Sequence, residues 1–261
     1  MNDLNRLALV TGASSGIGRA FARQLGAAGY DLVVVGRRRD RLDELAAELS
    51  DVTVRVVVSD LGTDEGIGRV AEICANEDLS LLVNNAGVSH YMAFTALPAG
   101  KATELLHVKV VATTLLAHAA APGMVARKGG SIINVAGMLG FSGPAPLGHS
   151  PGRAIYVGTL AHIIAMSQAL DQELGAAGIR VQALCPGLVA TEFHERQGMD
   201  LSALPRMTAE DLVAGSLRGL ELGETVCAPG VEQSELLDAI FRADLAAFQG
   251  QSPTLAQRYR T

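Results

Sequence analysis

Tryptophan is absent from this 261-residue chain, and phenylalanine and tyrosine together supply only 4% of it. Such a composition disfavours a sandwich of aromatic-rich strands and suits parallel strands packed tightly against helices, the more so with 29 glycines. Cysteine is as scarce. Cys74, Cys185 and Cys227 are odd in number, far apart and outside any CxxC or Cys/His spacing. That argues against a disulfide framework or a metal site and for buried free thiols in a reducing compartment. Charge is not concentrated either: the formal net charge is −6 without long runs of one sign, which excludes a basic nucleic-acid footprint and a membrane-surface helix. The segment Met1–Arg6 carries an acid and runs straight into a short apolar strand, unlike a signal peptide. No apolar run is expected to reach the roughly 18 residues of a membrane span. The expectation is a cytoplasmic protein without membrane or nucleic-acid partners. Lysine is the last scarcity, with only Lys101, Lys109 and Lys128 present.

What is present is alternation. Short β-branched runs interleave with amphipathic stretches, the pattern of repeated βαβ units. Strands are predicted at Leu7–Val10, Asp31–Val35, Val54–Val58, Leu79–Val83, Ser131–Val135, Ile179–Leu184 and Thr225–Ala228. Helices are predicted at Ile17–Ala28, Asp40–Leu49, Asp64–Ala75, Ala102–Met124 and Ala154–Leu174. No linker or repeat interrupts this order, so the whole chain reads as one α/β domain, a doubly wound Rossmann fold around a parallel sheet. Gly140–Arg153 is rich in Gly and Pro and reads as a loop; Arg196–Arg206 is irregular and suits a cover over a cleft.

Between the first strand and first helix lies Thr11-Gly12-Ala13-Ser14-Ser15-Gly16-Ile17-Gly18. Glycines there let the backbone turn tightly and approach a pyrophosphate, which rests on the free N–H groups opening the helix. The second strand ends in Gly36 followed by Arg37, Arg38 and Arg39. An acid at the strand end would favour NAD by binding its ribose hydroxyl; glycine followed by Arg37 favours a 2′-phosphate, hence NADP(H).

With that loop, Asn84-Asn85-Ala86-Gly87 after the fourth strand and Pro186-Gly187-Leu188-Val189-Ala190-Thr191 after the sixth, the chain resembles the short-chain dehydrogenase/reductase family. The resemblance implies that Asp60 and Leu61 contact the adenine. It implies too that Asn84, Asn85, Ala86 and Gly87 support the adenosine ribose and central strand, and that Pro186, Gly187 and Thr191 border the nicotinamide. Members typically use Asn, Ser, Tyr and Lys for catalysis. The run Met166–Leu174 fixes Tyr156 as the tyrosine and puts Leu160 at the lysine position. Counting back from Pro122-Gly123-Met124 puts Lys109 at the asparagine position, and Gly137 stands where a serine is expected. The spacing from Gly137 to Tyr156 is also longer than usual.

A phenol with its ordinary pKa near 10 is a poor acid or base at neutral pH without a cation beside it. Lys109 shares an apolar helical stripe with Leu105, Ala112 and Leu116, and a lysine facing a core is costly unless something polar receives it. One reading makes Lys109 the charge partner of Tyr156 in place of the missing lysine; the other has it snorkel out or pair structurally. Ser142, Ser89 and His90 are candidates for the missing serine, and His149 and Arg153 for meeting an anionic substrate, each equally readable as a local loop residue. His107, His118 and His162 read as helix-packing residues. The functions left open are an NADP(H)-dependent oxidoreductase of small carbonyls or alcohols, a silent NADP-binding protein, and non-redox chemistry on a retained cofactor. The two long apolar helices further suggest a homodimer or homotetramer.

Overall fold

Alternate residues of each strand face opposite helical layers. Ala8 and Val10 join Leu32, Val34 and Phe21 in one buried cluster, while Leu9 joins Val33, Leu82 and Leu116 in the other, as the two-residue period of a strand requires. The computed structural model describes residues 6–146 and 152–260. Among these, seven parallel strands form one sheet: β1 Leu7–Thr11, β2 Asp31–Gly36, β3 Val54–Val58, β4 Leu79–Asn84, β5 Gly130–Val135, β6 Ile179–Leu184 and β7 Val226–Cys227. Their order is β3-β2-β1-β4-β5-β6-β7. The winding reverses between β1 and β4, and a doubly wound sheet opens its crevice there, beyond the carboxyl ends of the strands. The fold is the expected one.

The helices are α1 Gly16–Ala27, α2 Arg39–Glu48, α3 Asp64–Asn76, α4 Ala99–Leu106, α5 Ala112–Arg127, α6 Ala154–Leu174, α7 Ala209–Leu222 and α8 Glu235–Gln249. The single helix predicted over Ala102–Met124 is interrupted: a π-helical turn, His107–Val111, separates α4 from α5. Leu105, Ala112 and Leu116 are buried as their spacing demands, and Lys109 is buried with them at 4% exposure. By length and composition, Ala99–Arg127 could also pass for a membrane span, which corrects the expectation that no such stretch exists. Of its apolar window, 44% is buried within the protein.

Two compact units divide the chain, one reaching Pro229 and one beginning at Gly230. The second unit carries α8, whose Leu236, Ile240, Leu245 and Phe248 are exposed. Composition gives no sign of a boundary there.

Candidate active site

Thr11 ends β1 inside a clamp. Its hydroxyl accepts from the amides of Asn85 and Ala86 at 2.9 and 3.0 Å, while Asn85 Nδ2 donates to the Thr11 carbonyl at 2.9 Å. The chain then turns through Gly12 and Gly16, both at positive φ (68° and 52°), a conformation glycine adopts at no steric cost. Ser15 caps α1 in extended conformation without a side-chain cap bond, and the first turn of α1 holds no acid. The helix therefore presents uncapped amides and the positive end of its dipole to the crevice, an arrangement that fits a phosphate.

A cleft of about 800 Å³ runs from this loop to Tyr156. Of the residues singled out in the sequence, Gly12, Ser14, Ser15, Gly16, Ile17, Arg37, Asp60, Leu61, Asn85, Ala86, Gly87, Lys109, Tyr156, Pro186, Gly187 and Thr191 all line it. Two cofactor candidates do not. Gly18 packs beneath the loop, where a Cβ would meet the Gly12 carbonyl and Asn85 Nδ2. Asn84 is sealed in the core, its Nδ2 donating to Asn134 Oδ1 at 2.9 Å and Asn134 Nδ2 to Ser167 Oγ at 3.0 Å. Both are supports for the wall rather than parts of it.

The basic end of the cleft rests on a residue that the sequence reading passed over. Arg37 is half-exposed and stands 4.0 Å from both Asp60 and Glu104, a separation worth little in water. Arg38 is better held: its Nη2 donates to Ser15 Oγ at 2.7 Å, Ser14 Oγ at 3.0 Å and Glu192 Oε1 at 2.8 Å. The motif could not distinguish the two neighbours, because the side chain that turns inward depends on Arg38 being the extended cap residue of α2.

At the other end, Tyr156 lies in the first turn of α6, buried against Leu105 and Leu160. Burial, then Tyr91, pushes its phenol well above the ordinary range; Lys109 is not among the causes. Tyr91 meets the Tyr156 ring edge-on at 5.6 Å, Phe193 lies 6.5 Å from it, and His194 stacks on Tyr91 at 6.4 Å. In a chain this poor in aromatics, that convergence makes the inner cleft an apolar, ring-lined chamber. His194 was not anticipated; burial, then Arg206, holds its pKa below the ordinary value.

The three unusual positions are sterically matched. Leu160 is 1% exposed. A Cβ on Gly137 would lie 3.3 Å from Leu160 Cδ1, so the small residue at 137 accommodates the large one at 160. Lys109 fills the hollow over Gly87, where a Cβ would come within 2.7 Å of its Nζ. Its ammonium donates to the Val135 carbonyl at 3.2 Å, and burial lowers its pKa to about 8. Among the described residues, its three N–H donors meet one acceptor, an unusual state for a buried cation. Leu160→Ala removes the plug between these groups. Differential scanning calorimetry is expected to register a loss of about 3 kcal/mol, or roughly 6–12 °C in Tm.

None of the serine substitutes lines the cleft. Ser142 bonds the Leu139 carbonyl at 2.8 Å, Ser89 is fully buried, and His90 pairs with Glu104 at 2.8 Å. Arg153 precedes α6 and bears on Tyr91 electrostatically; His149 lies outside the described residues. His162 shares a 3.3 Å contact with Thr114 between the long helices, and His107 faces Asp64 at 3.7 Å. Among the described residues, no group of three or more His, Cys, Asp or Glu is placed to hold a metal ion.

The profile of the family described as short chain dehydrogenase matches residues 6–201. A very-long-chain 3-oxoacyl-CoA reductase of Pyrenophora tritici-repentis is 35% identical over 72% of this chain and 56% of its own length. The human inactive hydroxysteroid dehydrogenase-like protein 1 is 32% identical over 74% of this chain and 58% of its own. The chain thus spans little more than half the length of these relatives. A short-chain dehydrogenase from Sphingobium yanoikuyae, solved in complex with NADPH, superposes with a TM-score of 0.91 at 33% identity, covering 97% of this chain and all of that one.

Proposed function

The chain belongs to the short-chain dehydrogenase/reductase family, and on that premise we propose that it is an NADP(H)-dependent oxidoreductase interconverting a small carbonyl compound and its secondary alcohol. The observation that carries this reading is the under-satisfied ammonium of Lys109, buried in the same cleft as Tyr156 and the glycine-rich loop. A resident cation with one acceptor for three donors suits a ligand that brings the others.

The residues fit the dinucleotide. The amides opening α1 and the Gly12–Gly16 turn would hold the pyrophosphate, Asp60 and Leu61 the adenine, and Arg37 and Arg38 the 2′-phosphate. Pro186, Gly187 and Thr191 would border the nicotinamide. When bound, the cofactor would supply a hydride to the carbonyl carbon. In the reductive direction the Tyr156 hydroxyl would give its proton to the carbonyl oxygen, leaving a phenolate that solvent reprotonates. A phenol raised by burial holds its proton at neutral pH, as an acid for the reductive direction requires. Lys109, charged below about pH 8 and lining the same cleft, would stabilise the negative charge developing on the substrate oxygen. The aromatic chamber selects an apolar substrate, and the exposed Leu106, Leu115 and Val125 on α4 and α5 suit a homodimer or homotetramer in the cytoplasm.

A second reading is a nucleotide-binding protein without turnover. It draws on Leu160 standing where the family carries its lysine and on the human relative named inactive. Titrating NADPH by its fluorescence and following its oxidation with a panel of ketones and aldehydes separates the two. Oxidation with at least one carbonyl is expected; tight binding with no turnover on any would favour the silent protein. Gly87→Ala refines the test. Its methyl group evicts the Lys109 ammonium from the hollow, so kcat is expected to fall at least tenfold, with Tm little changed. Unaltered kcat would separate the ammonium's position from the chemistry.

A further inference from the structure

Glu192 links the two ends of the cleft. It stands 154 residues from Arg38, yet its Oε1 accepts from Arg38 Nη2 at 2.8 Å and from Arg196 Nη2 at 2.6 Å. Ser15 bonds the same carboxylate. Burial alone would raise this carboxyl, but Ser15, Arg38 and Arg196 together outweigh it and hold the pKa below the usual carboxylate range. The charge is therefore fixed. The next two residues, Phe193 and His194, close the aromatic chamber over Tyr156 and Tyr91. A single carboxylate thus ties the glycine-rich loop to the segment covering the inner cleft.

We propose that Glu192 is a determinant of cofactor choice: in the free protein its carboxylate takes the anion place at Arg38, Ser14 and Ser15, and a nucleotide bearing a 2′-phosphate displaces it and frees the segment Thr191–Gln197. The proposal rests on the NADP(H) reading and adds the step that precedes it. A phosphate monoester brings nearly two negative charges and several acceptor oxygens. Beside it a carboxylate on the same guanidinium is repelled, whereas the phosphate gains the bidentate, charge-assisted geometry that arginine favours. NAD(H) offers only a neutral hydroxyl at this place, too weak an acceptor to break an ion pair. Displacement costs part of the nucleotide's binding energy, and by linkage the strap and the phosphate oppose each other equally.

Glu192→Gln tests this by fluorescence titration with NADPH and with NADH, alongside Glu192→Asp, which keeps the charge but shortens the reach. Glu192→Gln is expected to bind NADPH about tenfold more tightly, with NADH affinity unchanged and Glu192→Asp in between. Limited trypsin digestion of the nucleotide-free proteins supplies the second readout, because Arg196 is released with the strap; cleavage after Arg196 is expected to quicken several-fold in Glu192→Gln. NADPH and NADH tightening equally would overturn discrimination, and unchanged cleavage would overturn the strap. If wild type and variants all bind NADH but not NADPH, the NADP(H) reading falls and this proposal with it. An unchanged NADPH affinity in Glu192→Gln rejects displacement by the 2′-phosphate and leaves the NADP(H) reading standing.

Discussion

Lys109→Met is expected to yield a protein that resists thermal unfolding better than the wild type and scarcely turns over. The ammonium is 4% exposed, with one carbonyl at 3.2 Å for a partner. Burial brings its pKa from 10.5 to about 8, a gap equivalent to roughly 3 kcal/mol of unfavourable charge burial. Below about pH 8 the folded and unfolded chains both carry the proton, and the whole penalty is present. Between about 8 and 10.5 the folded state sheds a proton that the unfolded state keeps, so wild-type stability rises with pH. Methionine fills the same channel with an adaptable apolar chain, a replacement of the kind that often stabilises when it removes a buried charge. Tm at pH 7 should therefore be higher by several degrees, the advantage closing as pH climbs through that window. At the same time kcat should fall at least about 100-fold. Undiminished turnover would remove Lys109 from the chemistry; a drop in Tm would mean that the ammonium is better satisfied than its contacts indicate.

Gly18→Ala acts on the opposite end of the cleft, and on the fold as well. The new methyl group would press on the Gly12 carbonyl and on Asn85 Nδ2, the latter fixed by its bond to the Thr11 carbonyl at 2.9 Å. Neither atom is the free end of a flexible side chain, so α1 must lift from the loop that it supports. The expected cost is about 3 kcal/mol, with NADPH affinity reduced at least about 100-fold as the amide cradle opens. Gly187→Ala is the control for stability: nothing lies within 4 Å of its added Cβ, and a change within about 0.5 kcal/mol is expected. Equal losses in the two variants would mean that close packing beneath the loop is not the cause.

The sheet and the glycine-rich turn were legible because their signals are local. A two-residue period sorts Ala8 and Val10 from Leu9, and a strand, a glycine turn and a helix follow one another within a dozen residues. The apolar stripe that carries Lys109 was legible too, from its spacing to Leu105, Ala112 and Leu116, but not whether the ammonium stays inside. The π-helical turn that carries it was not, since one extra residue in a helical turn leaves no trace in a hydrophobic pattern. Nor could the sequence favour Arg38 over Arg37, where the outcome depends on the backbone at one cap residue. Glu192 and His194 were out of reach for a different reason. Their meaning comes from contacts with Arg38 and Tyr91, more than 100 residues away, and no motif spans that distance.

The aromatic chamber also gives the molecule an optical signature. With no tryptophan, ultraviolet emission comes chiefly from four tyrosines. Tyr91 and Tyr156 stand together in the cleft, while Tyr30 lies under the Arg6 guanidinium and Tyr259 under that of Arg258. Half of the tyrosines therefore watch the inner cleft, so a substrate entering it would report its own arrival without any attached dye.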